Sequence, residues 1–306
     1  MVVGSTVYSC RPTLCLLIFL LVTCSFSDGS SSTLVTSFFR FFCVLGKGKF
    51  DDAMQFTIAT SIILEATFWS INAILAVIYK FDLFPNYKLH EQYPPNKIIL
   101  ECLKDVALGH FVFRPPLLYY GYPIFQKCGM STELENVPPL KIIYLQIFFC
   151  MCVDDSLFYW SHRLLHHPKL YKYIHKQHHM FKYTIGVATE YCHPVEDFLG
   201  NTLSTIAGPL ILGCHLSVFW LYLTLKLWQS IDAHSGYNFP FPFSPFSFIR
   251  SMDCAPAHDY HHSHNEGNFG GFFIFWDWAC GTDDWYGKFL EKRKREKHSA
   301  YQNVIR

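Results

Sequence analysis

SHRLLHHPKLYKYIHKQHH, residues 161–179, is the stretch on which the reading of this chain turns. Its first half holds His162, His166 and His167, and its second half His175, His178 and His179. Further on, HDYHH supplies His258, His261 and His262, with His264 just after. On a helix, residues three and four apart share a face. HxxxH therefore presents two imidazoles on one stripe, and HxxHH presents three. Neutral imidazole is a ligand for iron, zinc and copper. One tetrahedral zinc uses four ligands. The eight donors His162, His166, His175, His178, His179, His258, His261 and His262 point instead to two metal ions. Aromatic and aliphatic residues surround the clusters, which excludes a disordered metal-scavenging tract. His90, His110, His215 and His298 have no histidine partner at helical spacing and read as surface or hydrogen-bonded core residues. His167 and His264 adjoin clusters without completing them.

Composition places these donors in or on a membrane. Of 306 residues, 51% are hydrophobic and only 16% charged, against about a quarter charged in a usual soluble domain. A net charge of +1 with no dominant basic face excludes nucleic acid as a partner. Residues 54–79, MQFTIATSIILEATFWSINAILAVIY, carry a single acid, Glu65. At about 1.5 Å per residue they can span a hydrocarbon core of roughly 30 Å. Residues 141–160 form a second candidate span. Asp154 and Asp155 near its end are costly in lipid, so they are expected at the membrane boundary or turned toward the metal site, or else as an ordinary solvated helix end.

Residues 198–230 are apolar almost throughout and separate the histidine clusters. For all clusters to meet, this stretch must enter the membrane and return. Two full crossings take about 40 residues, which favours a short re-entrant hairpin broken near Gly208-Pro209. Residues 98–125 are expected to bend similarly at Pro115-Pro116. Lys169, Lys172, Lys176 and Lys182 flank the second cluster, and Lys288, Lys292, Arg293, Lys294, Arg295 and Lys297 follow the third. Positive residues favour the cytosolic side, so the site is expected to face the cytosol. The expected fold class is all-α: an integral membrane helical bundle carrying a histidine-rich two-metal site. Its divisions are an N-terminal segment 1–48 that is signal-like or an anchor, membrane or re-entrant helices over 49–140, a catalytic domain over 141–286 and a basic tail over 287–306. Twelve scattered cysteines without a CxxC pair suit reduced thiols.

The ordered run HRLLHH, YKYIHKQHH, EYCHPVE, IDAHSGYNFP, HDYHH and FWDWACGTD resembles the fatty acid hydroxylase superfamily of membrane di-metal oxygenases, and within it the C-4 methylsterol monooxygenases. YKYIHKQHH and HSGYNFP carry most of that resemblance, which extends over roughly residues 140–286. It implies a non-haem di-iron enzyme of the endoplasmic reticulum membrane that uses O2 and electrons from NAD(P)H. Cytochrome b5, its reductase and other sterol C-4 demethylation enzymes are the implied partners. It adds His234 and His193 as candidate ligands, each with the alternative of supporting a ligand from behind or packing a helix. Asp259, Glu190, Glu196 and Asp232 become candidates to orient ligand histidines. The chain departs from the pattern at Ala257, where related enzymes commonly carry another histidine. The implied reaction is oxidation of a sterol C-4 methyl group to alcohol, aldehyde and carboxylate. Hydroxylation or desaturation of another lipid, and a non-catalytic metal-binding or transport role, stay open.

Overall fold

The computed structural model describes residues 50–245, 247 and 255–305, and these are helical, with no strand among them beyond one isolated bridge between Lys88 and Tyr237. The signal-like or anchor segment expected over residues 1–48 lies outside the described residues.

Helix α1 spans Asp52–Lys80. The Asp51 side chain starts it by accepting from the Met54 N–H at 2.7 Å. Its threonines cause no break, because Thr57 and Thr67 donate back to the carbonyls of Ala53 and Ile63. A long helix follows in two parts, α2 (Asn96–Leu108) and α3 (Arg114–Lys127), joined by a π-helical turn over Gly109–Phe113. Helix α4 spans Leu140–Leu165 and begins directly after Pro139. Short helices α5 (Pro168–Tyr171) and α6 (Pro194–Glu196) lead to α7 (Leu203–Leu212) and α8 (Leu216–Ala233). Helices α9 (Ala255–His264), α10 (Phe275–Cys280) and α11 (Asp284–Ile305) complete the chain. Of these, α1 and α4 are long and apolar enough to cross a membrane. Both expose large apolar side chains, among them Ile74, Leu145 and Phe148, on faces that only lipid or another chain would cover.

Two expected bends differ in the structure. Pro115 and Pro116 do not reverse the chain. Prolines lack the N–H that a helix would use and crowd the carbonyls four residues back, and the π turn just before them absorbs that misfit within one continuous helix. The helical hairpin within 198–230 exists, but its break lies at Gly213 rather than at Gly208-Pro209. Gly213 holds φ of 54°, and a Cβ there would sit 2.3 Å from the Cys128 carbonyl oxygen. Gly208 serves packing instead: a Cβ would lie 2.7 Å from the Cys150 Cα, so its absence lets α7 cross close against α4.

Contacts fix the directions. Phe56 of α1 meets Phe219 of α8 near their starts, while Leu75 and Ile231 share a buried cluster near their ends. Asp154 of α4 meets Tyr222 of α8. Helices α1, α4 and α8 are thus parallel, with their C-terminal ends together. The π-helical turn Asp197–Thr202 and α7 after it run antiparallel to α4, from Gly200 beside Ser161 to Gly208 beside Cys150. All histidine clusters therefore emerge at one end of the bundle. The buried cluster beneath them includes Phe68, Phe181, Ile185 and Tyr237. Every cysteine among the described residues is a free thiol.

Candidate metal centre

Helix α4 presents His162 one turn before its C-cap, His166. The second cluster is not α-helical: His175–Met180 form a tighter 3-10 turn. His234 caps the C-terminal end of α8, and His258, His261 and His262 lie on α9. These elements bring nine histidines into two groups, each with its ligand nitrogens within 4.8 Å of one another. Centre one comprises His162, His166, His175, His179 and His261, and centre two His178, His234, His258 and His262.

The partition shows how HxxHH works here. In the second cluster the i and i+4 residues, His175 and His179, serve centre one, and His178 between them serves centre two. The third cluster is reversed: His258 and His262 serve centre two, and His261 serves centre one. Neighbouring histidines thus belong to different groups, and two motifs cross-link both centres.

The distances fit metal shells. In centre one the Nε2 atoms of His162 and His175 lie 3.1 Å apart, His166 and His175 3.0 Å, His175 and His179 3.0 Å, and His166 and His261 3.1 Å. In centre two His178 and His234 are 3.3 Å apart, His234 and His258 3.0 Å, and His258 and His262 3.1 Å. With metal–nitrogen bonds of about 2.1 Å, adjacent ligands lie about 3.0 Å apart in an octahedral shell and about 3.4 Å in a tetrahedral one.

Hydrogen bonds behind the rings set the tautomers. Nδ1 of His162 faces the Phe269 carbonyl at 2.9 Å, that of His178 the Tyr191 carbonyl at 3.2 Å, and that of His234 the Ser230 carbonyl at 2.8 Å. His261 Nδ1 meets the Gly267 carbonyl at 2.5 Å, and His175 Nδ1 the Glu196 carboxylate at 2.7 Å. A carbonyl oxygen only accepts, so the proton sits on Nδ1 and the Nε2 lone pair points inward. Converging lone pairs repel unless cations lie between them. Burial also keeps the rings in the neutral ligand form: it pushes His178 down to about 4 and His234 down to about 3, and His258, His261 and His262 well down. The residues present fit two metal ions.

Acidic side chains brace this shell from behind. Asp155 Oδ1 accepts from the N–H groups of Gly271, Phe272 and Phe273 at 3.2, 2.7 and 2.9 Å. Asp277 accepts from Phe269 and Gly270, each at 2.8 Å. They fix the loop whose carbonyls hold His162 and His261. Asp154 and Asp155 therefore belong to neither histidine group and do not sit at a solvated helix end; both are buried and paired within the protein. Of the four carboxylates expected to orient ligands, Glu196 reaches His175. Asp259 accepts from Thr184 instead, Glu190 pairs with His110 and Arg114, and Asp232 lies buried near Tyr79.

His193 lies outside both groups, and its Nδ1 accepts from the Val195 N–H at the start of α6. His167 caps α5 in the same way, and His264 stacks on Tyr260. Helix α9 runs through Ala257 without interruption. One constellation is not evident from the sequence: His110 bonds both Glu65 and Glu190, and Arg114 pairs with the same two carboxylates. The signal for it was Glu65 itself, a lone acid in a span.

A cavity of about 620 Å³ opens onto both centres, with His162, His175, His178, His234 and His258 in its wall. Leu117, Ile206, Phe219 and Leu223 also line it, together with the charged Arg114, Glu190, Asp197 and Lys226. Its size falls in the roughly 300–1,000 Å³ range of small-molecule sites.

A family model described as fatty acid hydroxylase matches residues 147–282. A very-long-chain aldehyde decarbonylase of Oryza sativa is 33% identical over 252 residues, 80% of this chain and 93% of that protein. Methylsterol monooxygenase 2-2 of Arabidopsis thaliana is 33% identical over 241 residues, 78% of this chain and 89% of the relative. Methylsterol monooxygenase 1 of Rattus norvegicus is 32% identical over 249 residues, 80% and 84% of the two chains. The two kinds of relative are similar to the same degree, so identity does not choose between their substrates. No solved structure matches. With every histidine of both centres inside the matched region and relatives aligned over most of its length, the chain belongs to the fatty acid hydroxylase family of membrane-bound, oxygenase-type enzymes.

Proposed function

We propose that this chain is a di-iron monooxygenase that oxidises the C-4 methyl group of sterol precursors to alcohol, aldehyde and carboxylate. One observation carries the reading: a cavity of about 620 Å³, with apolar side chains such as Leu117, Ile206, Phe219 and Leu223 in its wall, reaches both histidine groups. An unactivated methyl group has no proton acidic enough for acid–base chemistry. Iron bound at the two centres, supplied with O2 and electrons, provides chemistry able to break such a C–H bond. The protein's own residues hold the imidazoles, and the apolar side chains of the wall, Leu117, Ile206, Phe219 and Leu223, align one methyl group at the His162–His234 end. Electrons come from NAD(P)H through cytochrome b5 and its reductase. The site faces the cytosol from the endoplasmic reticulum membrane, in keeping with the lysines around the second cluster and the basic α11.

The test is turnover of a 4,4-dimethyl sterol by membranes containing the protein, set against His178→Ala. Oxidation by the wild type and not by the variant supports the reading, and equal turnover would sink it. The aldehyde decarbonylase relatives favour a second reading, chemistry on a long-chain aldehyde. Consumption of such an aldehyde with no sterol oxidation would select it.

A further inference from the structure

Lys226 is the lone cation in the apolar run LSVFWLYLTLKLW, residues 216–228 of α8. Its Nζ lies 3.0 Å from Asp154 Oδ2 on α4, and the Tyr222 hydroxyl donates to that same oxygen at 2.8 Å. Asp154 is fully buried. The Lys226 Nζ also lies 5.2 Å from the centroid of the Phe158 ring and 5.3 Å from that of Phe272. Phe158 in turn lies 5.2 Å from the His162 ring, so one aromatic side chain separates the ammonium from centre one. Along α8, the cavity-lining residues Phe219, Leu223, Lys226, Ser230 and His234 recur at spacings of three and four, which places them on one stripe. From Phe219 to His234, that stripe passes from apolar side chains to a cation, a hydroxyl and a histidine of centre two.

Burying an ion pair is costly, and apolar residues of similar volume usually pack as well or better. A lysine that lines a cavity and pairs with an acid inside a candidate membrane span therefore points to a bound group. The Lys226–Asp154 pair is neutral as a whole. A carboxylate placed against it would leave an uncompensated negative charge beside Asp154 in a low-dielectric site. A hydroxyl or ketone oxygen can accept from the ammonium without that imbalance.

Resting on the proposed lipid oxidation, we propose that Lys226 donates a hydrogen bond to a neutral oxygen carried by the substrate close to the carbon that is oxidised. This narrows the substrate class to hydroxylated or keto lipids. A sterol meets the requirement, since its ring hydroxyl sits on the carbon next to C-4. A simple long-chain aldehyde does not, since its one oxygen lies on the reacting carbon.

The test is equilibrium binding to the full-length, iron-loaded protein in detergent, with two probe pairs. One is a 3-hydroxy 4,4-dimethyl sterol and its 3-deoxy counterpart; the other is a 2-hydroxy long-chain lipid and its deoxy counterpart. The wild type should prefer the hydroxylated member of at least one pair by about 10-fold to 100-fold, the range of a hydrogen bond to a charged group. K226M should lose that preference while keeping its iron, and K226R should retain it. A preference that persists in K226M overturns the assignment. So does a wild-type protein with no preference in either pair, however the variants fold. Turnover separates this inference from the function beneath it. A Lys226-dependent hydroxyl preference without sterol oxidation sinks the reaction and leaves the binding role. Sterol oxidation with the preference intact in K226M does the reverse.

Discussion

Replacing His178 by alanine should empty one metal centre and leave the other filled, and replacing its neighbour His179 should do the opposite. The structure assigns His178 to a group of four imidazoles and His179 to a group of five. A four-ligand metal site contributes about 10–16 kcal/mol of apparent binding energy, or roughly 3 kcal/mol per ligand. At about 1.4 kcal/mol per decade, His178→Ala should weaken centre two by roughly two orders of magnitude. The loss at centre one in His179→Ala should be smaller, because four imidazoles remain. The assay is metal content per chain after dialysis of detergent-purified variants against graded chelator. Under conditions that leave two ions in the wild type, each single variant should keep about one. The double variants discriminate further, since sites that act separately give additive losses. His178→Ala with His262→Ala damages centre two twice and should still hold one ion; His178→Ala with His179→Ala should hold none. If the first pair strips both ions, the division into two centres is wrong.

Other consequences follow from the residues behind the ligands. Asp155→Ala leaves three backbone N–H groups, one of them buried, without their acceptor, so it should cost about 1–3 kcal/mol and lower metal retention at centre one. Asp155→Asn keeps the accepting oxygen and should cost far less in thermal unfolding of the purified protein. Gly208→Val forces a Cβ against the α4 backbone and should destabilise by about 1–3 kcal/mol; equal stability would contradict the close crossing. Glu196→Ala should weaken metal binding at centre one about 10-fold to 100-fold, through loss of the hydrogen bond to His175, and spare centre two. Burial alone would raise the Glu190 carboxyl, but the Arg114 charge and the His110 hydrogen bond hold it down to about 2. Its contribution to stability is therefore present above its ordinary value near 4.5 and fades as pH falls from there toward 2. The stability gap between wild type and Glu190→Gln should shrink over that window, and a gap independent of pH would remove Glu190 from the account.

The α4 pair His162 and His166 was legible because it sits on a true α-helix, where i and i+4 share a face. The allotment of His178 and His261 to the opposite centre from their neighbours was not. It depends on where a 3-10 turn and α9 meet, and spacing alone does not encode that. His193 and His234 looked alike as isolated histidines in family-like motifs. What separates them is local: His193 turns its Nδ1 to its own chain at Val195, whereas His234 gives its Nδ1 proton to Ser230 and points Nε2 inward. The hairpin followed from topology, because clusters on both sides of an apolar stretch must meet. Its break was misplaced because Gly208 looks like a turn residue until its neighbour Cys150 is seen. Lys226 was readable as a lone charge in an apolar run, but its partner Asp154 lies 72 positions away in sequence.

Two histidine groups at one end of the bundle are each built to hold one ion. Iron-loaded, detergent-purified protein should contain two irons per chain, and anomalous scattering from its crystals should place one among His162, His166, His175, His179 and His261 and the other among His178, His234, His258 and His262. A single ion per chain, or a second ion bound away from either group, would contradict it.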